Sequence, residues 1–202
     1  PGHFGYIRLN KNILHPLFYK LSIKFLKIFC HCCYKPLITY DLIQNMLTQD
    51  CIKDAKKTLE EVLSLVEDKS VKTSNCLNEG CNFPQPTIMW NRQEQAISKS
   101  YKHKIIDKKE NKVSLNMDVD EIKKIFDNID VKYVKMLGFD EKMFHPKSLV
   151  ISILPVLPPA SRPYVLSDGN ICDDDLTNQY LDIVKANTNL AKNDLSEAKR
   201  LK

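Results

Sequence analysis

The sequence predicts an α+β fold of irregular mixed helices and short strands, with one long loop region stapled by zinc. Three observations predict it. Apolar residues recur at helical spacing in several short stretches. The β-branched run "SLVISILPV" (Ser148–Val156), bounded by prolines, reads as a strand. Two close cysteine pairs, Cys30 with Cys33 and Cys76 with Cys81, bracket a helical region. At 202 residues, with 43% hydrophobic and 27% charged residues, the chain has ordinary globular proportions and length enough for a core.

The elements follow in order. From Pro16 to about Phe29, Leu17, Leu21, Phe25 and Ile28 recur at helical spacing, while Lys20, Lys24 and Lys27 stack on another face. That lysine stripe is either a solvated face or one that meets nucleic acid. A second helix is expected from about Asp41 to Leu47. A third follows Asp50 as N-cap and carries Ile52, Ala55, Leu59, Val62, Leu63 and Val66 to about Asp68. A polar loop rich in Ser, Asn and Pro then holds Cys76 and Cys81. Lys104–Ile106 and Val113–Leu115 are expected to pair across the charged turn "DKKEN".

In "DVDE" (Asp118–Glu121) a capping box opens a short helix whose buried stripe is Ile122, Ile125, Phe126 and Ile129. Asp130 caps a further small helix, and Gly138 stops it in the left-handed conformation. "LPPASRPY" is expected to be extended, since prolines fix φ and restrict their predecessors. The acidic run Asp173–Asp175 caps a last helix with Leu176, Tyr180, Ile183, Val184, Asn187 and Leu190 along one side. No internal repeat is apparent.

Several function classes drop out. With five glycines and neither GxGxxG nor GxxxxGK[ST], the chain has no phosphate-cradling loop. The greasiest run, Leu14 to Cys30, carries three lysines and is not a membrane span, so no membrane partner is expected. His3, His15, His103 and His145 are scattered, and no nucleophile or general base is assigned. A net charge of +5 suits a polyanionic partner. The chain opens "PGHFGYIRLN", without an initiator methionine or a leader, and is expected to be a piece of a longer polypeptide.

Seven cysteines without a leader favour a reducing compartment, where clustered cysteines bind metal more often than they pair. Cys30 and Cys33 form a C-x2-C knuckle and Cys76 and Cys81 a C-x4-C pair, a spacing that suits a four-cysteine zinc site spanning residues 30–81 with a helical insertion. The alternative keeps Cys76 and Cys81 as unrelated loop thiols. Cys32 and His31 lie inside the knuckle and rank as bystanders. Cys51 and Cys172 read as packing or surface residues. Four cysteines close the coordination shell, which argues against a zinc enzyme. A stand-alone, non-catalytic zinc-stabilised protein-interaction module remains a rival reading.

The segments also resemble a known family. "PGHFGYIRLNKNILHPLFYKLSIKFLKIFCHCCYKPL", "GCNFPQPTI", "YVKMLGFDEKMFHPKSLVISILPVLPPASRP" and "DDDLTNQYLDIVKANTNL" are similar, in this order, to the N-terminal clamp region of the largest subunit of multisubunit DNA-directed RNA polymerases. The wording is closest to polymerase II and to the related subunits of large DNA viruses. The resemblance runs from Pro1 to about Leu190 and leaves Asn91–Met117 uncovered. It implies one clamp domain (core and head) over residues 1–202, within a nucleotidyltransferase that copies DNA into RNA. Its implied partners are the second-largest subunit, template DNA and the RNA–DNA hybrid. Its implied location is the nucleus, or a viral factory or virion in infected cytoplasm.

The family's clamp zinc falls on Cys30, Cys33, Cys76 and Cys81. His3 matches the last ligand of a second zinc whose other ligands would lie upstream. The family's magnesium loop, D-F-D-G-D, is absent from these residues, so the resemblance implies that they are inactive alone. Two residues depart from the pattern: Tyr34 stands where the family usually has Gly, and Tyr6 where it often has His. The C-x4-C pair is also shorter than in many relatives.

Overall fold

A computed structural model describes residues 2–39, 43, 54–68, 75–102, 112–167 and 169–200. The chain divides into two compact units. One comprises Leu14–Val150; the other joins Pro1–Ile13 to Ile151–Lys202.

In the unit Leu14–Val150, Pro16–Phe18 form a 3-10 turn that runs into helix α1 (Tyr19–Ile28). Because the α-helix begins only at Tyr19, Leu17 falls off the predicted apolar stripe and is 80% exposed. Phe25 and Ile28 of the predicted stripe are buried, joined by Ser22, Leu26 and, just past the helix, Phe29. Ser22 satisfies its hydroxyl on the Phe18 carbonyl at 3.2 Å. Phe25 is the centre of the core. Its ring lies 5.8–6.4 Å from those of Phe29, Phe126, Phe139 and Phe144.

The predicted helix Asp41–Leu47 lies outside the described residues except Ile43, which is buried. Helix α2 (Ala55–Glu67) is capped by Asp54, which accepts from the Lys56 amide at 3.0 Å; the expected cap, Asp50, is outside the described residues. Thr58, Leu59 and Val62 of α2 are buried. Two lysines of the α1 stripe face this helix. Lys24 pairs with Glu60 at 3.1 Å and Lys27 with Glu67 at 2.7 Å.

A three-stranded antiparallel sheet follows, of β2 (Thr87–Asn91), β3 (Ala96–Lys102) and β4 (Lys112–Asn116) in that order. Val113–Leu115 therefore pair with Lys99–Tyr101. Their expected partners, Lys104–Ile106, lie outside the described residues. The tight β2–β3 turn has no glycine. Asn91 Oδ1 accepts from the amides of Gln93 and Glu94 at 3.0 and 3.4 Å, and Gln95 takes φ +46°. Ile88 and Ile97 fill the core side, and Trp90 lies 4.4 Å from Tyr19 ring to ring.

Helix α3 (Val119–Asp127) buries Ile122, Ile125 and Phe126 as its periodicity requires. The capping box does not form: Asp118 makes no side-chain cap bond. Glu121 is drawn instead to Lys99 of β3, whose Nζ lies 2.5 and 2.7 Å from its two carboxylate oxygens. A charge-assisted pair outweighs a cap bond to a neutral amide. Helix α4 (Val131–Met136) has the expected Asp130 cap at 2.9 Å. Gly138 follows at φ +83°, where an added Cβ would sit 3.1 Å from the Ala55 Cα; a side chain there is both strained and crowded.

His15 and His145 prove to be caps, each preceding a proline that opens a 3-10 turn. Each Nδ1 accepts from an amide two residues on, at 3.3 and 3.2 Å, and His145 Nε2 also meets the Ile129 carbonyl at 3.1 Å.

In the other unit, β1 (Gly5–Leu14) pairs with β5 (Val150–Val156) as a two-stranded ribbon. "LPPASRPY" is not extended throughout: Pro159–Ser161 form a 3-10 turn, since proline at a first helical position lacks only an amide that would go unused. β6 (Val165–Ser167) and β7 (Asn170–Cys172) make a hairpin, and α5 (Asp175–Arg200) follows. Asp174 accepts from the Leu176 amide at 3.0 Å, the blander role foreseen for the acidic run.

Polar clasps hold this unit together. Asn10 donates two hydrogen bonds of 2.7 Å to Asn187, from its amide to Oδ1 and from Nδ2 to the carbonyl, and Asn187 Nδ2 donates a third, of 2.8 Å, to the Arg8 carbonyl. Arg162 donates to the Leu157 carbonyl (3.0 Å) and the Thr177 hydroxyl (2.8 Å) and lies over the Tyr180 ring. Among the described residues, none of the buried hydrophobic core comes from this unit, while Phe4, Tyr6, Tyr164, Leu166 and Ile171 are exposed. No described helix is long and apolar enough to cross a membrane.

Phe25→Ala should cost about 3–5 kcal/mol of unfolding free energy in urea titration, because the ring fills the middle of the aromatic cluster. Leu17→Ala, at an exposed site, should stay within about 0.5 kcal/mol of the unsubstituted chain.

Candidate metal centre

Where α1 ends, the chain folds back on itself. Phe29 bridges to Pro36, the Cys30 amide donates to the Lys35 carbonyl at 2.9 Å, and Tyr34 turns the corner at φ +59°. A second loop repeats the design around the other cysteine pair. Asn75 bridges to Pro84, the Cys76 amide donates to the Phe83 carbonyl at 2.8 Å, and Asn82 turns at φ +45°. In both, the residue after the second cysteine is left-handed and a proline stands three places after that cysteine. The signal is present in the sequence as "CYKP" and "CNFP", a repeat of only four residues.

The two loops bring Cys30, Cys33, Cys76 and Cys81 into one cluster, all four sulfurs within 4.8 Å of one another. Cys30 and Cys81 stand 3.6 Å apart, and Cys33 and Cys76 3.8 Å. Zinc–thiolate bonds of about 2.3 Å to the corners of a tetrahedron put neighbouring sulfurs about 3.8 Å apart, the spacing of these two pairs, so the donor set fits zinc. All four cysteines are free thiols.

Backbone amides converge on the sulfurs in a regular pattern. The Cys32 amide lies 3.4 Å from Cys30 Sγ. The amides of Lys35, Asn78 and Phe83 each favour the thiolate of the cysteine two residues earlier: Cys33, Cys76 and Cys81. Burial opposes ionisation and dominates at two of them, pushing Cys33 up to about 12 and raising Cys76. At Cys81 the Phe83 amide dominates and the thiol falls to about 7. A half-buried set of this kind holds several negative charges together only around a cation.

A family model described as RNA polymerase Rpb1, domain 1 matches residues 1–201. The chain belongs to this family. It is 36% identical over 199 residues to a probable DNA-directed RNA polymerase II subunit RPB1 homolog of Invertebrate iridescent virus 6, covering 93% of this chain and 18% of that protein. It is 35% identical over 198 residues to DNA-directed RNA polymerase II subunit RPB1 of Euplotoides octocarinatus, covering 95% and 41%. The DNA-directed RNA polymerase subunit Rpo1N of Thermococcus celer is 26% identical over 200 residues, covering 96% and 21%. The chain thus spans between about a fifth and two fifths of the length of these relatives.

The departure at Tyr34 from the Rpb1 pattern now has a physical reading. The position needs a positive φ, which glycine supplies freely and tyrosine at a cost of about 1 kcal/mol or more. Packing of the Tyr34 side chain against the core offsets that strain. His31 is not brought to the sulfurs: its Nε2 meets the Leu26 carbonyl at 2.8 Å, and burial lowers its basicity. Cys32 is exposed and serves through its backbone amide. His3 is exposed, next to Gly2, where an added Cβ would sit 3.1 Å from the Pro158 side chain. Cys172 is exposed in β7, while Cys51 and His103 lie outside the described residues.

Metal analysis of the purified chain should return one zinc per cluster, with Cys33→Ser and Cys81→Ser each losing it and Cys32→Ser keeping it. Equal zinc in the first two variants and the unsubstituted chain would remove the cluster from consideration.

Proposed function

We propose that this chain is part of the largest subunit of a DNA-directed RNA polymerase and forms the clamp that closes over template DNA and the RNA–DNA hybrid. The observation that carries this reading is the Rpb1 match across residues 1–201, in a chain whose four matching cysteines stand in a closed cluster. The same match speaks against a stand-alone interaction module.

Zinc held by Cys30, Cys33, Cys76 and Cys81 supplies four strong bonds and no catalysis, since no coordination position stays open for water. These residues join the end of α1 to the loop before β2, two segments that could not stay together on their own buried area. His3 belongs to a second zinc whose remaining ligands precede Pro1. Nucleotidyl transfer belongs to the complete enzyme, whose magnesium loop is not among these residues.

The unit built on β1, β5 and α5 supports an assembled state. Its exposed Phe4, Tyr6, Leu166 and Ile171, in a unit whose one buried residue among those described is Pro158, suit contacts with the rest of the polymerase, the second-largest subunit included. Contact with DNA would be electrostatic and sequence-independent, weakening with salt. The enzyme would work in the nucleus or, for a virus-encoded subunit, in a viral factory.

Purified from the cells or virions that make it, the complete polypeptide should carry the second-largest subunit with it and support template-dependent RNA synthesis. A preparation free of other polymerase subunits, whose depletion leaves RNA synthesis unchanged, would overturn the proposal.

A further inference from the structure

Two side-chain amides reach the sulfur cluster, and nothing in the four-cysteine pattern calls for them. Gln85 Nε2 lies 3.2 Å from Cys30 Sγ and 2.8 Å from the Phe83 carbonyl. Asn78 Nδ2 lies 3.1 Å from Cys76 Sγ, 3.7 Å from Cys33 Sγ and 3.0 Å from the Pro36 carbonyl. All these contacts are partly buried. Each amide nitrogen has two hydrogens and spends one on a sulfur and one on a backbone carbonyl. That pairing fixes its orientation, because a flipped amide would set its oxygen against a carbonyl and a sulfur.

Both residues come from the second loop, and both reach the first: Gln85 through the Cys30 sulfur, Asn78 through the Pro36 carbonyl. They would matter most with metal bound. Four thiolates around one zinc ion leave two net negative charges in a half-buried site. N–H dipoles aimed at the sulfurs offset that charge without bringing in a cation to compete with the zinc.

We propose that Asn78 and Gln85 are positioning residues for the metal, whose amide hydrogen bonds to Cys76 Sγ and Cys30 Sγ hold those sulfurs in place and slow metal loss. The proposal rests on the zinc reading above and concerns how firmly the metal is held rather than whether it binds.

The test uses the full chain loaded with zinc or with cobalt(II), and the variants Gln85→Met, Asn78→Leu and Gln85→Glu. The first two keep side-chain volume and remove the donor; the third keeps shape and turns a donor into a charged acceptor. Each variant should still take up metal at the unsubstituted stoichiometry. Release to excess chelator at fixed pH should quicken about tenfold in Gln85→Met and Asn78→Leu, and more in Gln85→Glu. The cobalt–thiolate charge-transfer band should move to lower energy in Gln85→Met, because a sulfur relieved of its hydrogen bond is richer in electrons. A purely structural role would leave that band in place.

An unmoved band, or release within about twofold of the unsubstituted chain in all three variants, would overturn the inference while leaving the zinc site intact. If Gln85→Met does not fold, Gln85→Glu decides by the same two readouts. An unsubstituted chain that takes up neither metal would overturn the zinc reading itself, and this inference with it.

Discussion

The structure of the larger unit turns on the convergence of two loops separated by 42 residues of sequence. Each loop alone is a tight corner stabilised by a backbone bridge, with a left-handed residue just after its second cysteine. What joins them is the sulfur cluster, with Gln85 and Asn78 reaching across. A flexible connection of that length costs several kcal/mol of chain entropy to close. The polar segment around Cys76 carries little apolar surface to repay it: Cys76 is buried, but Leu77 beside it is 67% exposed. Strong directional bonds at one point can fix both loops where diffuse burial cannot. The position of β2, which follows directly, inherits that anchor.

The two units answer the same problem differently. Around Phe25 the chain buries a continuous set of aromatic and aliphatic side chains drawn from α1, α2, the sheet, α3 and α4. The unit of β1, β5 and α5 instead depends on asparagine and arginine clasps. Asn10 with Asn187, and Arg162 with Leu157 and Thr177, bring strands, loop and helix together through hydrogen bonds. Each such bond is worth about 1 kcal/mol net, so polar clasps specify an arrangement more than they stabilise it. An element ordered in this way leaves apolar residues such as Tyr6, Leu166 and Ile171 exposed.

Much of this was legible in the residues, for reasons that can be traced. The four cysteines could be grouped because close pairs chelate one ion from a tight turn, a constraint local enough to show in spacing. Helices α1, α3 and α4 showed because a buried helical face must repeat every three or four residues. Of the three-stranded sheet, only Val113–Leu115, within β4, showed as a strand. Its strands "TIMWN", "AISKSYK" and "KVSLN" alternate poorly, since Ser98 and Ser100 are buried on the face opposite Ile97, and its first turn uses Asn91 and Gln95 in place of glycine. The capping box failed for a cause no local pattern carries: Glu121 has a better partner on a strand 22 residues away. His15 and His145 looked like scattered titratable groups until each was seen to cap the turn its own proline begins.

The lysines of α1 show how far periodicity can carry a functional reading. Spacing singles out Lys20, Lys24 and Lys27 as one basic stripe, and a net charge of +5 invites a phosphate backbone as its partner. Yet Lys24 and Lys27 meet Glu60 and Glu67 of α2, so two thirds of the stripe is used in pairing helices. Such half-exposed pairs contribute about 0–1 kcal/mol each, so they tune the packing of α1 on α2 rather than drive it. Elsewhere Lys99 and Lys123 are also matched by acids, and Arg162 is spent on a carbonyl, a hydroxyl and a ring. Under the proposed function, a sequence-independent grip on DNA would draw on charge other than these paired lysines.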